Sequence, residues 1–496
     1  MESNATAPSG GEFRHRILSS LAWKYLETFG ITIVSFIISI VVARMLGPEV
    51  IGTVALLSVF IGWSTIFIQS GFSMALIQRS DINQQDLSSV FYITSVISVV
   101  FYLLLYFGAP LVSSIYQIKE LTWLLRILAL QLLPGGLISI QNAIIARRFQ
   151  FKMAFFRSII TVVLSGTLGI YMAYAGYGAW ALVVQSVASV FIGAIVFAIA
   201  IPWKPSLAFS WTRVKGLLSF GGRILISSFL DSFYYEMYSL AIGKRFQTVA
   251  LGYYNKGRQF PTQAVIAIDS SIQSVMLPAY SSKQDDLPAV KAMLRRTIST
   301  SSFLIFPILA GMAATADPLI RILLSDHWLE SVPFLQIYCL VLLSHPLTIA
   351  NGQAVNALGR SDVTLRINLW KKAIGFTILF VSLLWNIYAV AWGMVISSAI
   401  FLAFNAMPNK KLLDYGIWEQ IKDCLPNLVL SGVMFGVVSL WNLVSLSSVP
   451  KLLMQTLTGI CTYVGLAKLF RVESFDVALD IAKHYLKRRK KNGKSS

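Results

Sequence analysis

The chain has 496 residues, of which 56% are hydrophobic and 13% are charged, and its formal net charge is +19. A soluble domain has about 25% charged residues, so this composition argues against an ordinary soluble enzyme. The apolar residues come in blocks of about twenty, the length that an α-helix needs to cross the hydrocarbon core of a bilayer. The sequence therefore predicts an all-α membrane protein.

About fourteen apolar blocks follow one another along the chain, and each is long enough to form one transmembrane helix. The segments between them are too short to form the soluble domain that usually holds the catalytic groups of a membrane glycosyltransferase. We therefore expect a transporter rather than an enzyme. The predicted spans are residues 18–43, 49–70, 88–114, 121–144, 153–174, 178–202, 216–243, 258–280, 297–323, 332–357, 363–386, 387–407, 423–444 and 449–470.

The Lys and Arg residues are distributed unevenly over the loops between these spans. With the N-terminus inside, 29 of the 41 basic residues lie on cytoplasmic segments and 8 lie on outer segments. This bias follows the positive-inside rule and predicts an inner-membrane protein with both termini in the cytoplasm and an even number of spans. Orientation in the membrane thus explains the positive charge, and nucleic acid is not an expected partner.

The first dozen residues are polar and no cleavage site follows them, so we expect the first span to be retained as an anchor.

The two halves of the chain resemble each other. Residues 44–52 align with residues 244–252 at an offset of 200, and residues 179–182 match residues 391–394 at an offset of 212. Because each half has an even number of spans, the repeat is parallel, with its axis along the membrane normal. We predict two parallel six-helix lobes and two further helices, arranged as an N-terminal tail (1–17), an N-lobe (18–202), a linker (203–215), a C-lobe (216–407), a cytoplasmic loop (408–422), two C-terminal helices (423–470) and a basic amphipathic tail (471–496).

Short motifs at turns and helix ends carry a family resemblance. Residues 43–52 read ARMLGPEVIG and residues 71–79 read GFSMALIQR. In the second half, residues 251–254 read LGYY, residues 277–281 read LPAYS and residues 357–362 read ALGRSD. Together, over about residues 18 to 470, they resemble the Wzx-type polysaccharide flippases of the multidrug/oligosaccharidyl-lipid/polysaccharide (MOP) superfamily, and in particular its colanic-acid and teichuronic-acid exporter branch.

The resemblance implies an alternating-access flippase with a cationic cavity between its two lobes. Its substrate would be an undecaprenyl-diphosphate-linked oligosaccharide, and a proton or sodium gradient is the expected driving force. Expected partners are this substrate, membrane lipids, and a polysaccharide polymerase with its chain-length machinery. We expect no cofactor and no resident metal, because the sequence has no metal-ligand cluster and no P-loop. One departure from the family pattern is Gln247, which stands where the first half has Gly47.

Basic side chains in or beside the spans are the candidates for binding the diphosphate. Ionisable groups inside a bilayer are costly and usually face a cavity or a partner, and a diphosphate attracts cations. Lys24 and Arg223 lie on the first helix of each lobe, and Arg157 lies about one turn inside the fifth span. Lys256 and Arg258 precede a Phe-Pro pair, as does a basic residue in the related lipid II flippases. The alternatives are snorkelling for Arg157 and Arg223, and a solvated loop charge for Lys256 and Arg258.

Four acidic residues are the candidates for ion coupling. Glu27 is three residues from Lys24 and shares its helix face, so a local ion pair is the alternative. Asp231 and Glu236 lie on the seventh span, and Asp269 lies near the middle of the eighth. Their short side chains do not reach the interface easily, so they would bind protons or sodium ions, or hold the cations in place.

Other features leave alternatives open. His345 precedes a proline, which favours the filling of a helix kink over a proton relay. Tyr234, Tyr235, Tyr253 and Tyr254 either stack on sugar rings or belong to interface belts. A cation-driven drug exporter of the same superfamily is the nearest rival function, and a membrane-embedded polysaccharide polymerase is the rival enzyme. The motifs favour the flippase over the first, and the short loops favour it over the second.

Overall fold

The computed structural model describes residues 10–79, 82–148, 150–201, 203–472 and 474–475. Within these ranges all regular structure is helical, which confirms the predicted all-α class. The helices are α1 (Gly10–Gln78), α2 (Gln84–Tyr116), α3 (Leu121–Leu128), α4 (Gly135–Arg148), α5 (Phe151–Tyr174), α6 (Ala179–Ala200), α7 (Trp211–Ser281), α8 (Leu287–Ala314), α9 (Ala316–Leu323), α10 (Val332–Leu342), α11 (His345–Ala357), α12 (Ser361–Ser382), α13 (Ile387–Leu413), α14 (Ile417–Ser439) and α15 (Ser448–Leu469).

Ten helical stretches of the described chain are long and apolar enough to cross a membrane. The first of them, Trp23–Gln69, has 47 residues. At about 1.5 Å per residue it is more than twice as long as the hydrocarbon core of a bilayer is thick. Helices α7 and α12 are not among the ten, and α12 carries four charged side chains in 22 residues. The chain is therefore a multi-pass membrane protein.

Helices α1 and α7 are each interrupted at equivalent positions of the repeat. Gly47 has φ 75° and ψ 174°, and Gln247 has φ 70° and ψ 166°. The two turns thus share one backbone conformation, although the second has no glycine. That conformation is favourable only for glycine, because any Cβ atom crowds the neighbouring backbone. Gln247 therefore holds a strained backbone at this turn.

Replacing Gln247 by glycine is expected to stabilise the protein. The substitution removes the Cβ atom that strains the turn, and we expect the free energy of unfolding to rise by about 1 to 2 kcal/mol. Thermal unfolding of the purified protein in detergent measures the change. The matched control is Gln263→Gly, at an exposed position inside the helical part of α7, which should lower stability by about 1 kcal/mol. Equal losses of stability in both variants would contradict the strain at Gln247.

The segments that follow these two turns cross at a pair of glycines. A Cβ atom at Gly52 would lie 1.8 Å from the carbonyl oxygen of Thr248, and one at Gly252 would lie 2.0 Å from the carbonyl oxygen of Pro48. Positions 48 and 248 are related by the repeat offset of 200, as are positions 52 and 252. The contact is therefore reciprocal, as expected where two copies of one motif meet across a local two-fold axis. We call these four residues the glycine crossing.

The chain forms two compact units, Met1–Gly252 and Tyr253–Ser496, which divide inside α7. One buried cluster of the first unit includes Phe72, Ile140 and Phe197. The second unit has clusters around Tyr280 and Leu294 and around Phe303 and Met434. The lobe boundaries inferred from the sequence stay a prediction.

Small residues let helices of the first unit approach closely. A Cβ atom at Gly166 on α5 would lie 2.2 Å from the Ile38 side chain on α1, and one at Gly136 on α4 would lie 2.5 Å from the Ser95 hydroxyl on α2. Close approach through glycine and serine is typical of helices that associate inside a bilayer. This packing fixes α5 against α1, and the charged residues described next lie between those two helices.

Candidate functional site

A charged cluster lies between α1 and α5 and comprises Lys24, Glu27, Arg157 and Ser158. Lys24 and Glu27 are three residues apart, so they project from the same face of α1. Lys24 Nζ lies 2.8 Å from Glu27 Oε2, and the two side chains are 52% and 9% exposed. The predicted local ion pair is thus present, and it joins a buried carboxylate to a half-exposed ammonium group.

Arg157 brings a second cation to the same carboxylate. The Ser158 hydroxyl donates a hydrogen bond to Glu27 Oε1 at 3.4 Å and accepts one from Arg157 Nη2 at 3.5 Å. The guanidinium carbon of Arg157 lies 3.7 Å from the centroid of the Phe197 ring. A guanidinium group stacked on a buried ring is held in place, which favours a fixed cation over the snorkelling alternative. Two cations and one carboxylate give the cluster a formal charge of +1, so it can attract an anion.

The second unit contains an acid–imidazole pair between α7 and α11. Asp269 Oδ2 and His345 Nδ1 are 2.5 Å apart, and their side chains are 6% and 30% exposed. Neither atom has another hydrogen-bond partner within the described part of the chain. This separation is within hydrogen-bond distance for a carboxylate oxygen and an imidazole nitrogen that share one proton. His345 begins α11, but its pairing with Asp269 favours the relay alternative over simple filling of a kink.

A narrow cavity of about 10 Å³ adjoins Asp269, which is room for about one water molecule. Its polar lining includes Gln273, Thr297, Ser301 and Gln353. Gln353 Nε2 donates a hydrogen bond to Gln273 Oε1 at 3.3 Å. Among the described residues that line this cavity, Asp269 is the only titratable one. The cavity therefore places a polar site of about the size of one water molecule beside the pair, with no second titratable side chain among its described lining residues.

Lys256 and Arg258 lie on α7 just after the start of the second unit. Lys256 is 6% exposed, and its Nζ donates a hydrogen bond to Gln259 Oε1 at 3.0 Å. The guanidinium carbon of Arg258 lies 5.7 Å from the centroid of the Tyr254 ring. Such burial of Lys256 does not fit the alternative of a solvated loop charge.

The remaining candidate residues have fewer described contacts. Asp231 and Glu236 are partly buried on α7, and the side chain of Arg223 lies outside the described residues. Tyr234 and Tyr254 are only 5% and 1% exposed. These two tyrosines therefore belong to the protein interior rather than to an interface belt or an open sugar platform.

The second unit also contains a buried amide cluster, which the charged residues of the sequence do not predict. Asn351 Nδ2 donates to Gln420 Oε1 at 2.7 Å, and Asn409 Nδ2 donates to Asn351 Oδ1 at 2.6 Å. All three side chains are fully buried, and they join α11, α13 and α14. Asn351, an uncharged amide inside the predicted span 332–357, is the one signal that the sequence offered, since a buried amide must find a partner. Asn409 and Gln420 lie in the predicted loop 408–422, where nothing indicates burial.

The described residues contain no group of three or more His, Cys, Asp or Glu side chains that could hold a metal ion.

Comparison with known proteins identifies similar chains. Residues 41–333 match the model of a family described as "Polysaccharide biosynthesis protein". The chain is 26% identical to the teichuronic acid biosynthesis protein TuaB of Bacillus subtilis (strain 168), with 81% of this chain and 83% of TuaB covered. It is 24% identical to the succinoglycan biosynthesis transport protein ExoT of Rhizobium meliloti (strain 1021), with 65% and 66% covered.

Among solved structures, the fold is similar to that of the lipid II flippase MurJ in an inward closed conformation. The TM-score is 0.75, and the superposition covers 91% of this chain and 98% of MurJ at 16% sequence identity. At that identity the likeness concerns the fold.

Proposed function

Because the chain belongs to the polysaccharide biosynthesis protein family, we propose that it is a flippase for a lipid-linked oligosaccharide. Its substrate class is the undecaprenyl-diphosphate-linked repeat unit of a polysaccharide. Alternating access moves this substrate from the cytoplasmic to the outer leaflet of the bacterial inner membrane. The observation that carries the proposal is the family match over residues 41–333, which includes Arg157 and Ser158 of the charged cluster and Asp269.

The charged cluster is suited to the difficult part of this task. A diphosphate that leaves water for a low-dielectric region has a large desolvation cost unless cations accompany it. Lys24 and Arg157 lie at a shared buried carboxylate, which holds them in place while the cluster keeps a net positive charge. The half-exposed ammonium group of Lys24 can contact a substrate and release it again.

Accumulation of the lipid-linked precursor tests the proposed function directly. Cells depleted of the protein should accumulate the undecaprenyl-diphosphate-linked repeat unit in the inner leaflet, and the polymer should disappear. If depleted cells expose the precursor on the outer leaflet at the normal rate, the flippase proposal is wrong. If the precursor reaches the outer leaflet but is not joined into polymer, the polymerase alternative is favoured instead.

Lys24→Ala is expected to reduce export about fivefold, which corresponds to the loss of about 1 kcal/mol of electrostatic attraction at a half-exposed site. Lys24→Arg should retain most of the activity, because the charge remains. The assay measures the outer-leaflet precursor at equal protein level. The matched control is Lys152→Ala, which removes an exposed cation from the first turn of α5 and should leave export unchanged. Equal export by all four proteins would remove Lys24 from the site.

The proposed topology has fourteen spans and both termini in the cytoplasm. In this topology α1 and α7 each form two spans, which are separated by the interruptions at Gly47 and Gln247. Helix α12 also counts as one span. Alkaline phosphatase fused after Lys494 should be inactive, because the enzyme needs the oxidising periplasm. The same reporter fused after Ser447, in the short segment between the last two predicted spans, should be active. Activity after Lys494 would contradict the even number of spans.

We further propose that a proton drives transport and that the Asp269–His345 pair carries it. Asp231, Glu236 and Glu27 are the other candidates for this role. A drug exporter of the same superfamily remains the second candidate function. The charged cluster argues against it, because an exporter of cationic drugs would be served by a net negative site.

A further inference from the structure

A cavity lies in the second unit, and its described lining residues include neither member of the acid–imidazole pair. It has a volume of about 1040 Å³ and lies at the start of α8 and α14 and just after the end of α15. The ends of these elements are joined by contacts, since the hydroxyl groups of Ser299 and Ser474 are 2.7 Å apart. We call this cavity the α8–α14 groove.

One wall of the groove is apolar and open. Leu425, Val429 and Phe470 line it and are 47%, 54% and 67% exposed. Leu425 and Val429 are four residues apart, so they form one stripe on α14. Exposed apolar side chains on a membrane helix face the acyl chains of lipids.

The rim of the groove is basic. Arg295, Arg296, Lys422 and Arg471 all line it. They lie within a few turns of the ends of three helices, where long basic side chains reach the headgroup region of a bilayer. In the proposed topology, this end of all three helices is cytoplasmic.

Asp423 is the one acidic residue among the described residues of the groove lining, and it is already neutralised. Its Oδ1 accepts a hydrogen bond from Arg295 Nη2 at 2.6 Å, and its Oδ2 accepts one from the Tyr415 hydroxyl at 2.7 Å. Burial and the neighbouring carboxylate raise the pKa of Tyr415, so this phenol stays protonated and continues to donate.

The other three basic residues, Arg296, Lys422 and Arg471, have no ion-pair partner within the described chain. The groove therefore carries a formal charge of +3, because Arg295 and Asp423 cancel. Cations beside an open apolar wall match a ligand that has an anionic headgroup and acyl chains.

The basic end of the chain's own C-terminal tail does not have this chemistry. Residues 487–491 read KRRKK, so this end of the tail would bring like charges to a positive groove. Inorganic phosphate would satisfy the rim but not the apolar wall. We propose that the α8–α14 groove binds an acidic phospholipid of the cytoplasmic leaflet, with its phosphate group at Arg296, Lys422 and Arg471 and its acyl chains along Leu425 and Val429.

Binding of fluorescent phosphatidylglycerol to the purified full-length protein in detergent tests the proposal. The test variant combines Arg296→Gln, Lys422→Gln and Arg471→Gln. Each basic residue near an anionic lipid contributes about a fivefold gain in affinity, so we expect about a hundredfold weaker binding. The matched control combines Arg148→Gln, Lys204→Gln and Lys215→Gln, three exposed basic residues of the first unit, and it should bind like wild type. The measurement needs no transport, so its result is independent of the proposed function.

Three results would overturn the proposal. These are equal binding by wild type and test variant, equal affinity of wild type for phosphatidylcholine and phosphatidylglycerol, and displacement of the lipid by inorganic phosphate at millimolar concentration. Occupation of the groove by the C-terminal tail would give the first of these results.

Melting temperatures verify that the test variant is folded. If it is not, Leu425→Asn with Val429→Asn replaces it, because both side chains are exposed and the change should weaken lipid binding about tenfold through the apolar wall.

Discussion

Gly52→Ala is expected to destabilise the protein by about 3 kcal/mol, because the glycine crossing has no room for a side chain. The new Cβ atom would lie 1.8 Å from the backbone carbonyl oxygen of Thr248. A backbone atom cannot rotate away as the end of a side chain can, so the two crossing segments must move apart. Thermal unfolding in detergent should register a lower melting temperature, and less folded protein should reach the membrane.

Gly62→Ala is the matched control, because it makes the same chemical change on the same helix. A Cβ atom at Gly62 would meet no atom within 4 Å, and alanine is the better helix former by about 1 kcal/mol. The control should therefore be neutral or slightly stabilising. A melting temperature of Gly52→Ala equal to that of Gly62→Ala would contradict the close contact.

Gly252→Ala should reproduce the effect of Gly52→Ala, since its Cβ atom would lie 2.0 Å from the carbonyl oxygen of Pro48. The two substitutions push the same two segments apart, so their effects should not add. A double variant that loses as much stability as the sum of the single variants would show that the two contacts are independent.

The glycine crossing also illustrates how far the sequence alone could lead. The offset of 200 was visible in a few residues around Gly52 and Gly252, and the structure gives that offset a physical meaning as a reciprocal contact. The all-α class followed from apolar blocks of helical length, because a membrane leaves few other ways to satisfy the backbone. The short motifs identified the family correctly, since a match over residues 41–333 confirms it.

The candidate site was predicted in part. The spacing of Lys24 and Glu27 fixed their common helix face, because both lie on one helix. Nothing in the sequence could bring Arg157 to the same carboxylate, since that contact depends on how α5 packs against α1. The pairing of His345 with Asp269 was missed for the same reason, as the two residues lie 76 positions apart on α7 and α11. Local spacing predicts partners on one helix, whereas partners on two helices require tertiary packing.

Asp269→Asn is expected to abolish the dependence of transport on the proton gradient. The asparagine amide does not bind or release a proton at physiological pH, so the variant loses the group that would couple transport to the proton gradient. Export driven by the gradient should fall at least tenfold, and the remaining export should not respond to pH. Outer-leaflet precursor, measured in cells or vesicles with an imposed pH gradient, provides the readout. Asp317→Asn is the matched control, because Asp317 forms an exposed ion pair with Arg321 and its loss should leave the pH response unchanged.

His345→Gln separates a coupling role of the pair from a structural one. The substitution leaves the buried carboxylate of Asp269 without its partner, which should destabilise the protein by about 3 to 5 kcal/mol. The double variant Asp269→Asn, His345→Gln removes the buried charge as well, so it should recover most of the melting temperature. Gradient dependence should nevertheless remain absent, because neither residue titrates any longer. If the double variant recovers the wild-type response to pH together with its stability, the pair is a structural contact and the coupling proton binds elsewhere, with Asp231 as the next residue to replace.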